Sequence, residues 1–345
     1  MSKICHTEEK RPSRSFYLDV LRLVAMLGVI FLHVSAKEYH MYYLTYDWYL
    51  SVIGDSSVRW SVPLFVMISG ALFLNPDKNV TYKDILRKYI PRLLLAYVCW
   101  SLLYTIFQIA VASFISKEFV FDTYFLRPYF HLWFLPMLMG VYLLVPLLRK
   151  ISEDKVLLQY GLILWICVLA VAFFLVHEIP QISELFVVNL VLGFAGYFLL
   201  GHFVSQHTIT KRQEGLIYAI GIAGLVITIG GNILLSRHLG MPTERFLPYL
   251  SPFVVMTATS LFVLAKQNEA ALQKKLSSIV AYVRKDLFGI YLVHGMWLRL
   301  FNITFFRDLS NHLITFPLIT LIIFAFSLYT AKLLRKIPFL RKIVA

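Results

Sequence analysis

Asp19, Arg22 and His33 share one apolar segment, FYLDVLRLVAMLGVIFLHVS. They bring to it a carboxylate, a permanent cation and an imidazole that can take up a proton near neutral pH. In a helix turning 100° per residue, Arg22 and His33 project about 20° apart and Asp19 lies within roughly 60° of both. Such a stripe cannot face lipid, because an ionised side chain at the bilayer centre costs about 2.5 kcal/mol or more, and it therefore points into a bundle or a wet cavity. An i,i+3 ion pair at the membrane interface would account for Asp19 with Arg22, and an interfacial histidine for His33. The face common to all three argues for a joint role.

Other ionisable groups recur at similar depth. Asp55 and Arg59 stand i,i+4 in GDSSVRWSVPLFVMISGALFL, His131 opens HLWFLPMLMGVYLLVPLL, and His294 lies partway along FGIYLVHGMWLRL with Tyr291 as a potential helper. Histidines can act as general bases for a hydroxyl, and cations can stabilise a developing oxyanion. Ser69 before Gly70 has a nucleophile's chemistry, but small residues at that spacing more often serve helix contact. A cationic run, Lys83, Arg87, Lys88 and Arg92, suits either anionic lipid or a phosphorylated ligand, since Arg matches phosphate geometry with paired donors.

The elements that must position these groups are membrane helices. The chain has 345 residues, 59% hydrophobic and 15% charged, with mean hydropathy +0.71. Apolar stretches of spanning length recur throughout, so the expected fold is an all-α polytopic membrane bundle of about ten transmembrane helices. The expected spans are 17–36, 52–74, 93–115, 131–148, 157–176, 185–204, 215–235, 248–265, 287–304 and 315–334. With the N-terminus inside, 24 of the 33 Lys and Arg residues fall on the inner side, counting Lys332 at the inner end of the last span, and 6 in outer loops, while Arg22, Arg59 and Arg299 lie within spans. That bias places both termini in the cytoplasm. The net charge of +14 is then mainly a topology signal, and no nucleic-acid partner is needed to explain it.

The expected organisation is a cytoplasmic tail over 1–16, a transmembrane domain over 17–334 and a basic cytoplasmic tail over 335–345. The first span reads as an uncleaved signal anchor, since no convincing small-residue cleavage site follows it. Cys5, Cys99 and Cys167 form no disulfide framework and have no metal-ligand spacing, so no metal is expected. The connections are too short for a soluble domain of ordinary size, so any chemistry occurs in the bundle. From polarity alone, an enzyme and a secondary transporter or flippase for an anionic or lipid-linked substrate are both open.

The segments RSFYLDVLRLVAMLGVIFLHVS, SVPLFVMISGALFL, IPRLLLAYVCWSLLY, HLWFLPMLMGVYLLVPLL and FGIYLVHGMW, in that order, resemble acyltransferase family 3, and the likeness covers essentially the whole chain. It implies acyl transfer, most often of acetyl from acetyl-CoA bound on the cytoplasmic side, to a hydroxyl of an exported or lipid-linked carbohydrate. It also implies a multi-pass protein of a bacterial plasma membrane whose partners are membrane lipids and the glycan acceptor. Oligomeric state is left open. Carried over by position, Arg22 and His33 are the family's functional pair. The family's basic RxxR element departs here: Arg92 occupies its second position and Tyr89 its first, with Arg87 and Lys88 alongside.

On this reading His33 is the base, Arg22 oriented by Asp19 holds the donor's thioester arm, Arg87, Lys88 and Arg92 contact the donor's phosphates, and Arg59, His131 and His294 bind the acceptor or stabilise charge. Direct transfer and a transient acyl-His33 are both compatible with these residues.

Overall fold

A computed structural model describes residues 15–36, 39, 43–78, 80–116, 129–175, 186–304 and 312–344. The first fourteen residues of the expected N-terminal tail, Cys5 among them, lie outside the described residues. The described chain is helical throughout, with no strand among those residues, as expected of an all-α membrane bundle.

α1 (Phe16–Ser35) is the axis of the bundle. Within its most apolar window 72% of residues are buried, against 17% for the long helices Tyr82–Phe114 and Lys155–Phe174. The charged stripe explains this central position, since a helix carrying Asp19, Arg22 and His33 is stable only when wrapped by other helices.

The second expected span is broken into α2 (Tyr46–Val58) and α3 (Ser61–Phe73). The break falls at Arg59 and Trp60, so Arg59 sits at the joint and frees its guanidinium to turn inward. A capping box between Thr81 and Asp84 starts α4 (Tyr82–Asp84). A π-helical turn over Ile85–Tyr89 carries it into α5 (Ile90–Ser116). The helix is continuous from Tyr82 into this span, and the π turn resets the register between Arg87 and Arg92.

α6 (Phe134–Leu143) and α7 (Val145–Glu153) form a pair bent by 55°. Pro146, in the first turn of α7, cannot donate the backbone hydrogen bond that would continue α6. Arg149 on α7 donates to the carbonyls of Phe73 and Lys78, at 2.8 Å each, and so ties down the inner end of α3.

α8 (Lys155–Leu175) lies at the periphery, and α9 (Phe186–Gln206) packs tightly on α3. A Cβ at Gly70 would fall 1.8 Å from the Phe198 carbonyl oxygen, and one at Gly201 would fall 2.0 Å from that of Met67. Backbone touches backbone here, which is how membrane helices associate when lipid offers apolar side chains no incentive to leave it. Ser69, beside Gly70, donates to its own helix at Phe65 O, 3.0 Å.

α10 (Lys211–Leu239) pairs with α11 (Pro252–Gln267), and α12 (Glu269–Val283) lies along the inner side. Glu269 accepts from the Tyr17 amide at 3.1 Å, placing a carboxylate where the helix dipole of α1 is positive. α13 (Leu287–Thr304) and α14 (His312–Lys336) complete the bundle. The segment expected as a basic C-terminal tail continues α14 and then forms α15 (Pro338–Val344). Ile343 and Val344 are buried while Arg341 and Lys342 stay exposed, and the Trp100 indole donates to Ile343 O at 3.3 Å.

Among the described residues, six helices are individually long and apolar enough to cross a membrane, and the bent α6–α7 pair makes a seventh. Three shorter apolar helices, Val191–Gln206, Pro252–Gln267 and Leu287–Phe301, fall where the remaining expected spans lie.

Candidate active site

Three helical elements bring three histidines together. His33 comes from the last turn of α1, His131 from the turn preceding α6 and His294 from the middle of α13. The His131 and His294 ring centroids are 4.6 Å apart, and those of His33 and His294 are 5.6 Å apart with the planes nearly parallel at 20°. His131 and His294 are buried while His33 is half-buried, so His33 is the member of the cluster that a substrate can reach.

The chain positions this cluster through backbone groups. Tyr291 donates its hydroxyl to His131 O at 2.6 Å. The His294 Nδ1 lies 2.6 Å from Tyr291 O, and because a carbonyl only accepts, Nδ1 carries the hydrogen and Nε2 of the neutral ring holds a lone pair. That Nε2 is buried without a hydrogen-bond partner, and neither ring nitrogen of His131 makes a hydrogen bond of good geometry. Unpaired buried nitrogens are uncommon, and each costs stability unless a function uses it.

Gly295 makes room for this arrangement. A Cβ there would stand 2.8 Å from His131 Cε1 and 2.9 Å from Tyr129 Cε1. Tyr104 on α5 locks the same stretch of α13, since its hydroxyl donates to Leu292 O at 2.8 Å and accepts from Met296 N at 3.2 Å. An uninterrupted helix would join those two groups to each other, so the hydroxyl is wedged into the ladder one turn around His294. Tyr104 also stacks on Tyr129, ring centroids 4.2 Å apart, and Phe130 meets His33 edge-on at 4.7 Å.

Arg59 borders the cluster. It pairs with the buried Asp55, lies over the Tyr249 ring at 5.7 Å, and is close enough to act electrostatically on His33. Its Nε is buried without a partner, leaving one donor of a desolvated cation uncommitted beside the histidines.

Eleven residues nearer the start of α1, about 16 Å along its axis, the Arg22 guanidinium binds Asp19 at 2.6 Å. The Asp19 side chain is 2% exposed and that of Arg22 27%, so a buried carboxylate orients a partly exposed Arg. Tyr142 lies near Ser69 and within the electrostatic reach of both Arg22 and Arg92. Phe73 packs on Tyr142 and Tyr89, with ring centroids at 4.5 and 4.7 Å. This inner region is therefore an aromatic wall rimmed by two arginines.

Of the expected residues, His33, His131, His294 and Arg59 converge, and Asp19 and Arg22 pair. Arg87, Lys88 and Arg92 are exposed along the start of the long α5 helix. Arg92 reaches the Phe288 ring at 6.0 Å and Lys88 that of Tyr89 at 5.4 Å. Arg87 lies exposed in the π turn that precedes α5. Sequence reasoning missed Tyr104, Tyr129 and Phe130, although a tyrosine amid the apolar residues of α5 was a usable signal, since a membrane-buried hydroxyl needs a partner.

Comparison with known proteins adds one finding. Residues 15–335 match the family described as an acyltransferase domain. No curated protein and no solved structure matches the chain.

Proposed function

The chain belongs to acyltransferase family 3, and from that premise we propose that it transfers an acetyl group from acetyl-CoA to a hydroxyl of an exported or lipid-linked carbohydrate in a bacterial plasma membrane. The observation that carries this reading is the meeting of His33 with His131 and His294, at the far end of the helix face that holds Arg22. One helix thus carries a cation for the donor and a base for the acceptor.

The separation of about 16 Å suits a donor whose charged nucleotide and reacting thioester are joined by a long arm. Arg22, fixed by Asp19, holds the donor at the inner end, and the exposed Arg87, Lys88 and Arg92 add positive charge for its phosphates. At the outer end His33 removes the proton from the acceptor hydroxyl. The oxygen attacks the thioester carbonyl, the tetrahedral oxyanion draws on the uncommitted donor of Arg59, and the carbon–sulfur bond breaks. The proton then passes from His33 to the departing sulfur. His294, its Nδ1–H committed to Tyr291 O, backs the His33 ring as a positioning residue.

The test is purified protein in nanodiscs with acetyl-CoA and candidate glycans, measuring free CoA and acetylated product together. His33→Ala is expected to lower product formation by about 10²–10⁴-fold, the usual range for a general base. Equal product from His33→Ala and wild type would remove His33 from the mechanism. Movement of an anionic or lipid-linked substrate across the bilayer, with no acyl transfer to any acceptor, would replace the enzymatic reading by a transport one.

A further inference from the structure

A cavity of about 360 Å³ opens beside the histidine cluster, between α5 and α13. Its wall is formed by Phe107, Gln108, Tyr129, Phe130 and Arg299 among others. Two of these residues are shared with the cluster: Phe130 lies against His33 at 4.7 Å and His131 at 5.2 Å, and Tyr129 against His131 at 5.5 Å. Phe130 therefore borders both the cavity and the half-buried His33.

The lining has a specific chemistry. Phe107, Tyr129 and Phe130 offer aromatic faces, whose negative quadrupole suits the C–H face of a sugar ring. Gln108 Nε2 is buried and has no hydrogen-bond partner, so an amide donor goes unused beside the cavity. Arg299 contributes a full positive charge, with no carboxylate paired to it among the described residues. A volume in the usual range for small-ligand sites, apolar walls and two polar groups make a recognition pocket rather than a packing defect. Among the described residues this exposed cation has no carboxylate partner, and a guanidinium matches carboxylate or phosphate with two parallel bonds.

We infer that this cavity seats the acceptor and that the acceptor's ring bears an anionic group, a carboxylate or a phosphate, held by Arg299. The inference rests on the acyl-transfer reading for the word acceptor, but not for the pocket itself. Gln108 donates to a ring oxygen, the aromatic residues take the ring's apolar face, and a neighbouring hydroxyl is presented toward His33.

The experiment measures binding separately from catalysis. Protein in nanodiscs of zwitterionic lipid is titrated, with saturation-transfer NMR as readout, against methyl glucoside, methyl glucuronide and glucose 1-phosphate. The expected result is that at least one acidic probe binds about tenfold more tightly than methyl glucoside, the scale of one charge-assisted pair. Which acid is preferred distinguishes a carboxylate from a phosphate. Arg299→Gln should bring the acidic-to-neutral ratio near one, Arg299→Lys should restore part of it, and Gln108→Leu should weaken all three probes alike. Because each ratio is taken within one preparation, a partly unfolded variant does not distort it. Equal binding of all three probes to wild type, or a ratio that survives Arg299→Gln, would overturn the inference and leave Arg299 as a side chain reaching for lipid headgroups. An acidic preference in wild type that Arg299→Gln abolishes, together with no acyl transfer to any acceptor, would instead leave the pocket standing and sink the enzymatic reading.

Discussion

Gly295→Ala is the sharpest probe of the histidine cluster, because it adds one methyl group at its most crowded point. The new Cβ would meet His131 Cε1 at 2.8 Å, Tyr129 Cε1 at 2.9 Å and His131 Nδ1 at 3.0 Å. Comfortable carbon contacts lie near 3.5–4.0 Å, so the His131 and Tyr129 rings must retreat by roughly 0.7–1 Å. Within a helix alanine is favoured over glycine by about 1 kcal/mol, while overpacking costs about 1–3 kcal/mol. The two largely offset, and the net loss of stability should stay within about 2 kcal/mol. Catalysis has no such compensation, because a displacement near 1 Å can cost about 10²-fold in rate. Gly289→Ala supplies the control: its Cβ would meet Ala331 Cβ at an equal 2.8 Å, but on the α14 side, away from the histidines. Single-turnover CoA release at saturating donor, read alongside thermal unfolding, should therefore show a drop of about two orders of magnitude for Gly295→Ala and a change of only a few fold for Gly289→Ala. Wild-type turnover in Gly295→Ala, or the same loss in both variants, would refute the idea that ring placement in this cluster governs the rate.

Three further outcomes are expected. If Arg22 holds the donor as proposed, Arg22→Ala should raise the KM for acetyl-CoA by about tenfold or more with a smaller effect on the rate at saturation; a pure kcat defect in steady-state kinetics would contradict that role. Gly70→Ala should prevent normal assembly rather than tune activity, because its Cβ would sit 1.8 Å from a backbone oxygen that cannot rotate away; a monodisperse, thermally unchanged variant on size-exclusion chromatography would count against the α3–α9 contact. Asp286 lies at the inner surface 3.1 Å from Arg335, and burial, the largest influence, pushes its carboxyl up while Arg335 pulls it down. A raised pKa means the folded state holds the proton more tightly than the unfolded chain, so this contribution is present at low pH and is lost as pH rises through the folded value. Asp286→Asn should flatten the unfolding temperature across the acidic range, and an unchanged pH profile would show that Arg335 cancels the effect of burial.

The helices and their rough limits were legible in the residues because hydrophobicity and helical periodicity are local properties. The stripe of Asp19, Arg22 and His33 follows from 3.6 residues per turn, and the ion pair of Asp19 with Arg22 follows from i,i+3 spacing. The i,i+4 pairing of Asp55 with Arg59 was equally visible. The break that places Arg59 was less so, since the chain turns at Arg59 and Trp60 with no glycine or proline at the joint. The C-terminal basic residues read as a tail because their charges are exposed, while Ile343 and Val344 between them and the end of the chain make the segment a packed helix.

What no local pattern could supply is the company His33 keeps. By itself each histidine had an ordinary explanation, as an interfacial residue or as one satisfied by a hydrogen bond. Only tertiary structure puts the rings of His33, His131 and His294 in contact, because that meeting depends on which helices touch and at what height. In a membrane the choice is not made by hydrophobicity, since lipid satisfies apolar side chains as well as protein does. It is made by shape, through Gly70 and Gly201 admitting backbone to backbone, Gly295 yielding space to His131, and the Tyr104 hydroxyl wedged into α13. The sequence alone determined the membrane helices and the polar face of the first; the packing of small residues decided that this face ends among histidines.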